Sequence, residues 1–244
     1  MTAAADLTGR RVLVPGGTGG VGEGIVRAYL AAGADVVVPT RSSARAGGFR
    51  AVLGAAATER LHLVVQEYGT FADAETLAAT MQERLGGIDD VVAPIGGWWA
   101  GKRLAEIDDA DWQAAFVDLA TAHMAIARAV VPRLTGAGVY AVVVGGSADF
   151  PVPGSGLVSM EQAAVAMMQR VLSAEQPGGA AVTRFVLGPV RTRFTAGEPG
   201  WIGADEIGRV AVALSAAGRA EESYALTDSA AAGALLDGPS AVAA

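Results

Sequence analysis

The stretch Arg11-Val-Leu-Val-Pro-Gly-Gly-Thr-Gly-Gly-Val-Gly-Glu-Gly24, continued by Asp35-Val-Val-Val-Pro-Thr-Arg41, decides the fold. Val12-Leu13-Val14 is a short apolar run of strand type, and a glycine-dense turn follows it at Gly16, Gly17, Gly19, Gly20 and Gly22. Val21, Ile25, Val26, Tyr29 and Leu30 then recur at helical spacing, with Gly33 where a helix C-cap belongs. Val36-Val37-Val38 is a second apolar run. A strand, a tight glycine turn, a helix and a strand within about thirty residues make a dinucleotide-binding unit.

Glycines let backbone N–H groups approach a pyrophosphate closely, and the helix N-terminus adds a partial positive charge. Two registers fit. Gly17-x-Gly19-x-x-Gly22 is the general fingerprint. Gly16-x-x-x-Gly20-x-Gly22 has the spacing of the short-chain dehydrogenase/reductase family, and here the chain resembles that family. The turn residues set to meet the cofactor are Gly16, Thr18, Gly19, Gly20, Val21 and Gly22. The end of the second strand suggests which cofactor. A carboxylate there would bind the ribose hydroxyl of NAD, but the chain has Thr40-Arg41-Ser42, and Asp35 lies at the wrong end. An arginine pairs with a 2′-phosphate where a carboxylate repels it, so Arg41 and Ser42 point to NADP(H).

The 244 residues suit one α/β domain spanning 1–244. Apolar residues make up 52% and charged residues 18%, which argues for a packed core. The net charge of −7 and the lack of a basic cluster argue against nucleic acid and anionic membrane as partners. There is no cysteine, hence no disulfide or thiolate chemistry, and His62 and His123 alone suggest no metal site. Neither a signal peptide nor a run of about 18 apolar residues stands out, and a cytoplasmic protein is expected.

Along the chain, residues 1–10 read as a frayed start, and 42–60 as a polar loop with a small helix. Strands are expected at 61–65, 88–93, 139–144 and 181–187, with a seventh within 223–236. Helices are expected at 73–85, 111–134, 158–175 and 205–217. The loops 94–110, 145–157 and 188–204 lie between them. This alternation predicts a single Rossmann-type, doubly wound α/β domain of about seven parallel strands with helices on both faces.

The resemblance to the short-chain family continues in Gly188-Pro189-Val190-Arg191-Thr192, which is similar to the family's Pro-Gly-x-Val-x-Thr. It implies cofactor contacts from Pro189, Val190 and the Thr192 hydroxyl. Ala93-Pro94-Ile95-Gly96 stands where the family has Asn-Asn-Ala-Gly, which puts Gly96 beside the cofactor. Glu67 and Tyr68 stand where the family places an Asp and an apolar residue against the adenine. The family's Tyr-x-x-x-Lys pair aligns with Val158 and Gln162. That departure does not hang on fine alignment, because Lys102 is the only lysine and the residue four before it is Trp98.

The candidate catalytic groups left by the resemblance are Ser147, for the serine after the fifth strand, and Asp118, for the helical asparagine of a proton relay. Ser159 and Gln162 also fit a capping box, which would make Gln162 structural. Trp98, Trp99 and Trp201 are expected to line the substrate pocket. His123 reads as a core or interface histidine, and Asp149, Arg191 and Arg193 as polar groups at the rim. The apolar helices 111–134 and 158–175 predict a homodimer or homotetramer. Three functions fit such a chain with a small-molecule substrate: an NADP(H)-binding oxidoreductase without the tyrosine, a non-redox isomerase, dehydratase or cyclase, and a non-catalytic cofactor-binding partner protein.

Overall fold

The computed structural model describes residues 5–176 and 178–237. Chain order gives β1 (Arg11–Leu13), α1 (Gly20–Ala31), β2 (Asp35–Thr40), α2 (Ser43–Leu53), β3 (Leu61–Val65), α3 (Phe71–Leu85) and β4 (Ile88–Ala93). There follow α4 (Asp109–Trp112), α5 (Asp118–Val130), β5 (Leu134–Gly145), α6 (Gly156–Glu175) and β6 (Ala181–Leu187). The chain continues with β7 (Val190–Arg191), β8 (Ile202–Gly203), α7 (Ala204–Ala217), β9 (Ser223–Leu226) and α8 (Ser229–Asp237).

Seven strands form one parallel sheet in the order β3-β2-β1-β4-β5-β6-β9. Side chains alternate across a strand, so each apolar run feeds two cores. Val12, Val36, Val38, Val92, Val139, Ala141 and Phe185 pack with α1, α2 and α7 on one face. Leu13, Val37, Val91, Val142 and Val182 pack with α3, α5 and α6 on the other. This is the expected doubly wound arrangement, and β3, β4 and β6 occupy the residues foreseen for them. The seventh strand within 223–236 is β9, and the rest of that stretch is α8.

Four expectations change. Within residues 5–10 the start is not frayed: Leu7 is buried and its N–H donates to the Ala32 carbonyl at 2.7 Å. Residues 1–4 lie outside the described residues. The helix foreseen at 111–134 runs from Asp109 to Arg133 and contains a π-turn over Gln113–Val117. The extra residue of that turn rotates Trp112 and Phe116 away from the buried stripe of His123, Ile126 and Val130. Those two rings stack on each other instead, 4.5 Å apart. This helix is also long and apolar enough to cross a membrane by length and composition, although half of its most apolar window is buried in the protein. The fourth is the start of α6, which comes at Gly156 and not at about 158.

Candidate active site

The strand order reverses between β1 and β4, and ligands of doubly wound sheets sit at the carboxyl ends of the strands there. Three loops converge on that edge, from β1, β4 and β6. Gly16 has φ +84°, and a Cβ on it would lie 2.4 Å from the Pro94 carbonyl oxygen. A side chain at Gly16 would therefore strain the turn and push on the β4 loop. Gly16→Ala is expected to cost about 1–2 kcal/mol from the left-handed backbone alone, read as a lower urea midpoint with an unchanged m-value.

Gly20 opens α1, and a Cβ there would meet the Thr192 side chain at 2.8 Å. The loop after β6 thus lies directly on the first turn of α1. Gly19 caps that helix without a side chain, so no cap consumes its first N–H groups. Arg193 fastens the same loop: its guanidinium donates to the Thr18 carbonyl at 2.9 Å and pairs with Glu23. Free N–H groups at a helix N-terminus with a cation beside them suit a pyrophosphate. Thr192 Oγ1 accepts the Phe194 N–H at 3.1 Å, while Val190 and Arg191 pair with Ile202 and Gly203 in the short β7–β8 ladder.

At the far end of this crevice, Arg41 is exposed after β2. Ser42 caps α2 by accepting the Arg45 N–H at 3.3 Å. Burial raises the Tyr68 phenol above its ordinary value, with the Arg41 charge and the Gly16 backbone acting in the opposite sense. Tyr68 thus lies within reach of both the glycine turn and the Arg41 charge.

At the near end stand Ser147 and Gln162. Gln162 Oε1 accepts the Gly145 N–H at 2.8 Å and the Ser147 hydroxyl at 2.7 Å. The Gly145 N–H can only donate, which fixes the amide orientation. Gln162 Nε2 is left without a hydrogen-bond partner among the described residues. The capping-box expectation is corrected here. Ser155, not Ser159, precedes the helix, and Ser159 Oγ accepts the Val152 N–H from inside its first turn at 3.3 Å. The chain turns earlier than expected, at Gly154 with φ +79°. Val158 is buried, 4% exposed, one turn before Gln162.

The other candidates are spread around this centre. Asp118 is exposed and accepts from Gln113 Nε2 at 2.7 Å; no hydrogen bond joins it to Ser147 or Gln162 among the described residues. Lys102 is committed to Asp108 and Asp111, and Trp99 Nε1 donates to Asp111 at 3.0 Å. Lys102 chiefly draws the Asp111 carboxyl down to about 2, and the cluster braces the β4 loop. Gly96 is exposed on that loop, and Trp98 is 80% exposed. Trp201 is half-buried, and its carbonyl accepts from Arg191 at 2.8 Å. Arg191 also pairs with Glu206, so it holds the loop together. Asp149 lies exposed at the rim.

Sequence reasoning missed Phe150 and Phe194, exposed on the loops after β5 and β6. It also missed Glu161, buried beside His123. A large apolar residue in a Gly/Pro loop at a strand's carboxyl end was the available signal for the first two. Of the four tyrosines, Tyr29, Tyr140 and Tyr224 are buried, and none bonds Ser147 or Gln162 among the described residues.

With this geometry in view, the chain matches the short chain dehydrogenase family model over residues 10–201. It is 31% identical to a Streptomyces lividans protein described as a probable oxidoreductase, over 139 residues. That match spans 57% of this chain and only 45% of the relative's length. Among solved structures, a short chain dehydrogenase from Burkholderia cenocepacia J2315 in complex with NADP superposes with a TM-score of 0.77 at 21% identity. That alignment covers 91% of this chain and 97% of that one. A short chain oxidoreductase from Pseudomonas aeruginosa PAO1, described as containing an atypical catalytic center, gives 0.75 at 21% identity with the same coverages. At such identities these structures speak for the fold.

Proposed function

The chain belongs to the short-chain dehydrogenase family, and within it we propose an NADP(H)-binding oxidoreductase in which Val158 and Gln162 replace the usual Tyr/Lys acid–base pair. The observation that carries this reading is the Gln162 amide, held by Gly145 and Ser147 at 2.8 and 2.7 Å with no tyrosine bonded to either side chain among the described residues. Bound NADPH supplies a hydride; the protein positions and polarises the acceptor. Gln162 Nε2 is the neutral hydrogen-bond donor left on the nicotinamide side, because the single Ser147 hydroxyl hydrogen is held by Gln162 Oε1. An amide N–H is not a strong acid near neutral pH. The favoured acceptors are therefore small molecules that need little proton donation, such as an iminium or an activated enone. Asp118 serves the fold of the long helix in this reading and not the reaction. The functional unit is the one domain, assembled as a homodimer or homotetramer through the long apolar helices.

Support for the cofactor comes from the open glycine turn, the nearby Arg193 and the exposed Arg41. The NADP bound by the Burkholderia relative agrees with this choice. Gly16, Thr18, Gly19, Gly20, Val21 and Gly22 would cradle the pyrophosphate, Arg41 and Ser42 the 2′-phosphate, and Gly96, Pro189, Val190 and Thr192 the nicotinamide half. Arg41→Ala is expected to weaken NADPH binding about ten- to a hundredfold, as a charge-assisted contact contributes about 1.5–3 kcal/mol. NADH binding should hardly change. Titration by cofactor fluorescence checks both, and equal affinity of the unaltered protein for NADPH and NADH would overturn the assignment.

A second reading is a non-redox enzyme or a catalytically silent partner protein. Trp98, Phe150 and Phe194, exposed on the loops of three neighbouring strands, favour it, since they offer apolar surface for positioning a substrate. Substrate-dependent loss of NADPH absorbance supports the oxidoreductase. Product formation without that loss supports the second reading.

A further inference from the structure

A pair of buried side chains beside this site has no role in the chemistry above. His123 on α5 is 1% exposed and Glu161 on α6 is 3% exposed. His123 Nε2 lies 2.9 Å from the Ile95 carbonyl oxygen, on the loop after β4. A carbonyl only accepts, so Nε2 carries the hydrogen and Nδ1 is bare. Among the described residues Nδ1 has no hydrogen-bond partner, and neither has Glu161 Oε1. Glu161 Oε1 stands 3.9 Å from Nε2, too far for a hydrogen bond. Unpaired polar atoms are rare in protein interiors. Two of them, on touching helices and one hydrogen bond away from a site loop, mark a device.

We propose that His123 and Glu161 are a positioning pair for the Ile95–Gly96 segment, which they hold in place only while the pair is uncharged. Burial alone pushes the Glu161 carboxyl up to about 7. Burial likewise pushes His123 down to about 4, against the Ile95 hydrogen bond. Between those values an un-ionised carboxyl faces a neutral imidazole, so the contact is no ion pair. Among the described residues no other charge acts on either group. On α3, which packs against α5, Glu75 is paired with Arg133. On β4, Asp89 and Asp90 lie at the opposite end and pair with Arg11 and Arg10. On β5 the titratable group is Tyr140, whose phenol is raised by burial and whose hydroxyl is also unpaired among the described residues. On the β4 loop, Lys102 is held by Asp108 and Asp111.

A carboxyl whose folded value exceeds its ordinary 4.5 keeps its proton in the folded protein after the unfolded chain has lost it. Its contribution to stability falls as pH rises from 4.5, and the buried charge appears as pH passes about 7. The loop should then loosen. That this loop lines the cofactor rests on the function proposed above, but the pair itself can be tested without cofactor.

With only two histidines in the chain, nitrogen-15 NMR of labelled histidine, assigned with His62→Gln, resolves His123. The expected spectrum is a neutral Nε2–H tautomer that senses one titration near pH 7, absent in Glu161→Gln. Trp98 emission, taken as the difference from Trp98→Phe, should step at the same pH and lose the step in Glu161→Gln. NADPH affinity should fall roughly tenfold from pH 6 to pH 9, and stay flat in Glu161→Gln. A His123 that titrates on its own, or a step that survives in Glu161→Gln, overturns the proposal. Should NADPH fail to bind at any pH while the NMR and Trp98 steps appear together, the positioning pair stands and the cofactor assignment falls.

Discussion

Val158→Tyr combined with Gln162→Lys is expected to raise NADPH-dependent turnover of simple ketones by about 10²–10⁴, the usual worth of a placed proton donor. A ketone that accepts hydride becomes an alkoxide and needs a proton. Val158 has none to give, and the Gln162 amide cannot supply the positive charge that lowers a neighbouring pKa. The introduced phenol and ammonium would supply both. The exchange has a structural cost. Gly145 N–H and Ser147 both lean on Gln162 Oε1, and a lysine offers them no acceptor. Losing that acceptor costs about 1–3 kcal/mol. A tyrosine in the space of a buried valine adds about 1–3 kcal/mol of overpacking. The double variant should therefore be more active on ketones and less stable. A ketone and aldehyde panel together with thermal unfolding tests both halves. Rapid ketone turnover by the unaltered protein would refute the proposed chemistry. Inactivity of both proteins would favour the non-redox or partner reading.

The single changes should separate. Gln162→Lys alone removes the clamp and supplies a charge with no tyrosine to act on, so it should gain nothing. Val158→Tyr alone supplies a phenol whose proton stays tightly held near neutrality, and only a small gain is expected. The coupling between the two positions is then the measured quantity.

The sheet was legible because its strands are buried on both faces. Leu63–Val65, Val91–Ala93 and Phe185–Leu187 are unbroken apolar runs at the ends of β3, β4 and β6, and Val139–Val144 is one through most of β5. The glycine turn was legible because its spacing follows from contacts that only glycine permits, as at Gly16 and Gly20. Helix ends were harder. Ser159-x-x-Gln162 has the pattern of a capping box, yet Gly154 turns the chain earlier and frees Gln162 for Gly145. A local pattern cannot reveal a partner 17 residues away. The π-turn at Gln113–Val117 has no apolar signature at all. Glu161 was invisible for a similar reason: a carboxylate in a helix is by default a solvated one, and only the tertiary packing of α5 on α6 buries it. At the catalytic end the sequence offered only a departure from the family pattern, with Lys102 the one lysine and Trp98 four residues before it.

Asp90→Ala is expected to destabilise the fold by about 3–5 kcal/mol, the range for removing one partner of a buried ion pair. The adjacent Asp89-Asp90 gave no sign of this in the sequence. Asp90 is 1% exposed in β4 and takes both Nε and Nη2 of Arg10, at 2.7 and 3.0 Å. Its Oδ1 also accepts the Val139 N–H at 2.9 Å, where the β4–β5 pairing shifts register between Ile88 and Asp90. One carboxylate therefore closes a gap in the sheet and anchors the segment that leads into β1. Alanine would leave a part-buried guanidinium and a buried backbone N–H without it. In a chain of this size each kcal/mol moves the melting temperature by about 2–4 °C, so a fall of roughly 6–20 °C is expected. Asp90→Asn keeps an acceptor for Val139 and should lose clearly less. Asp89 is a weaker companion. Its bonds to Arg11 hold its carboxyl below the usual value against burial, and its contribution is present above pH 3.8 and lost as pH falls through the lower folded value. The strands joined at Asp90 are those whose loops carry Gly16 and Pro94, so the same clamp sets the spacing of the nucleotide crevice. If Asp90→Ala melted within about 2 °C of the unaltered protein, less than the shift for a single kcal/mol, neither the sheet nor the crevice would depend on it.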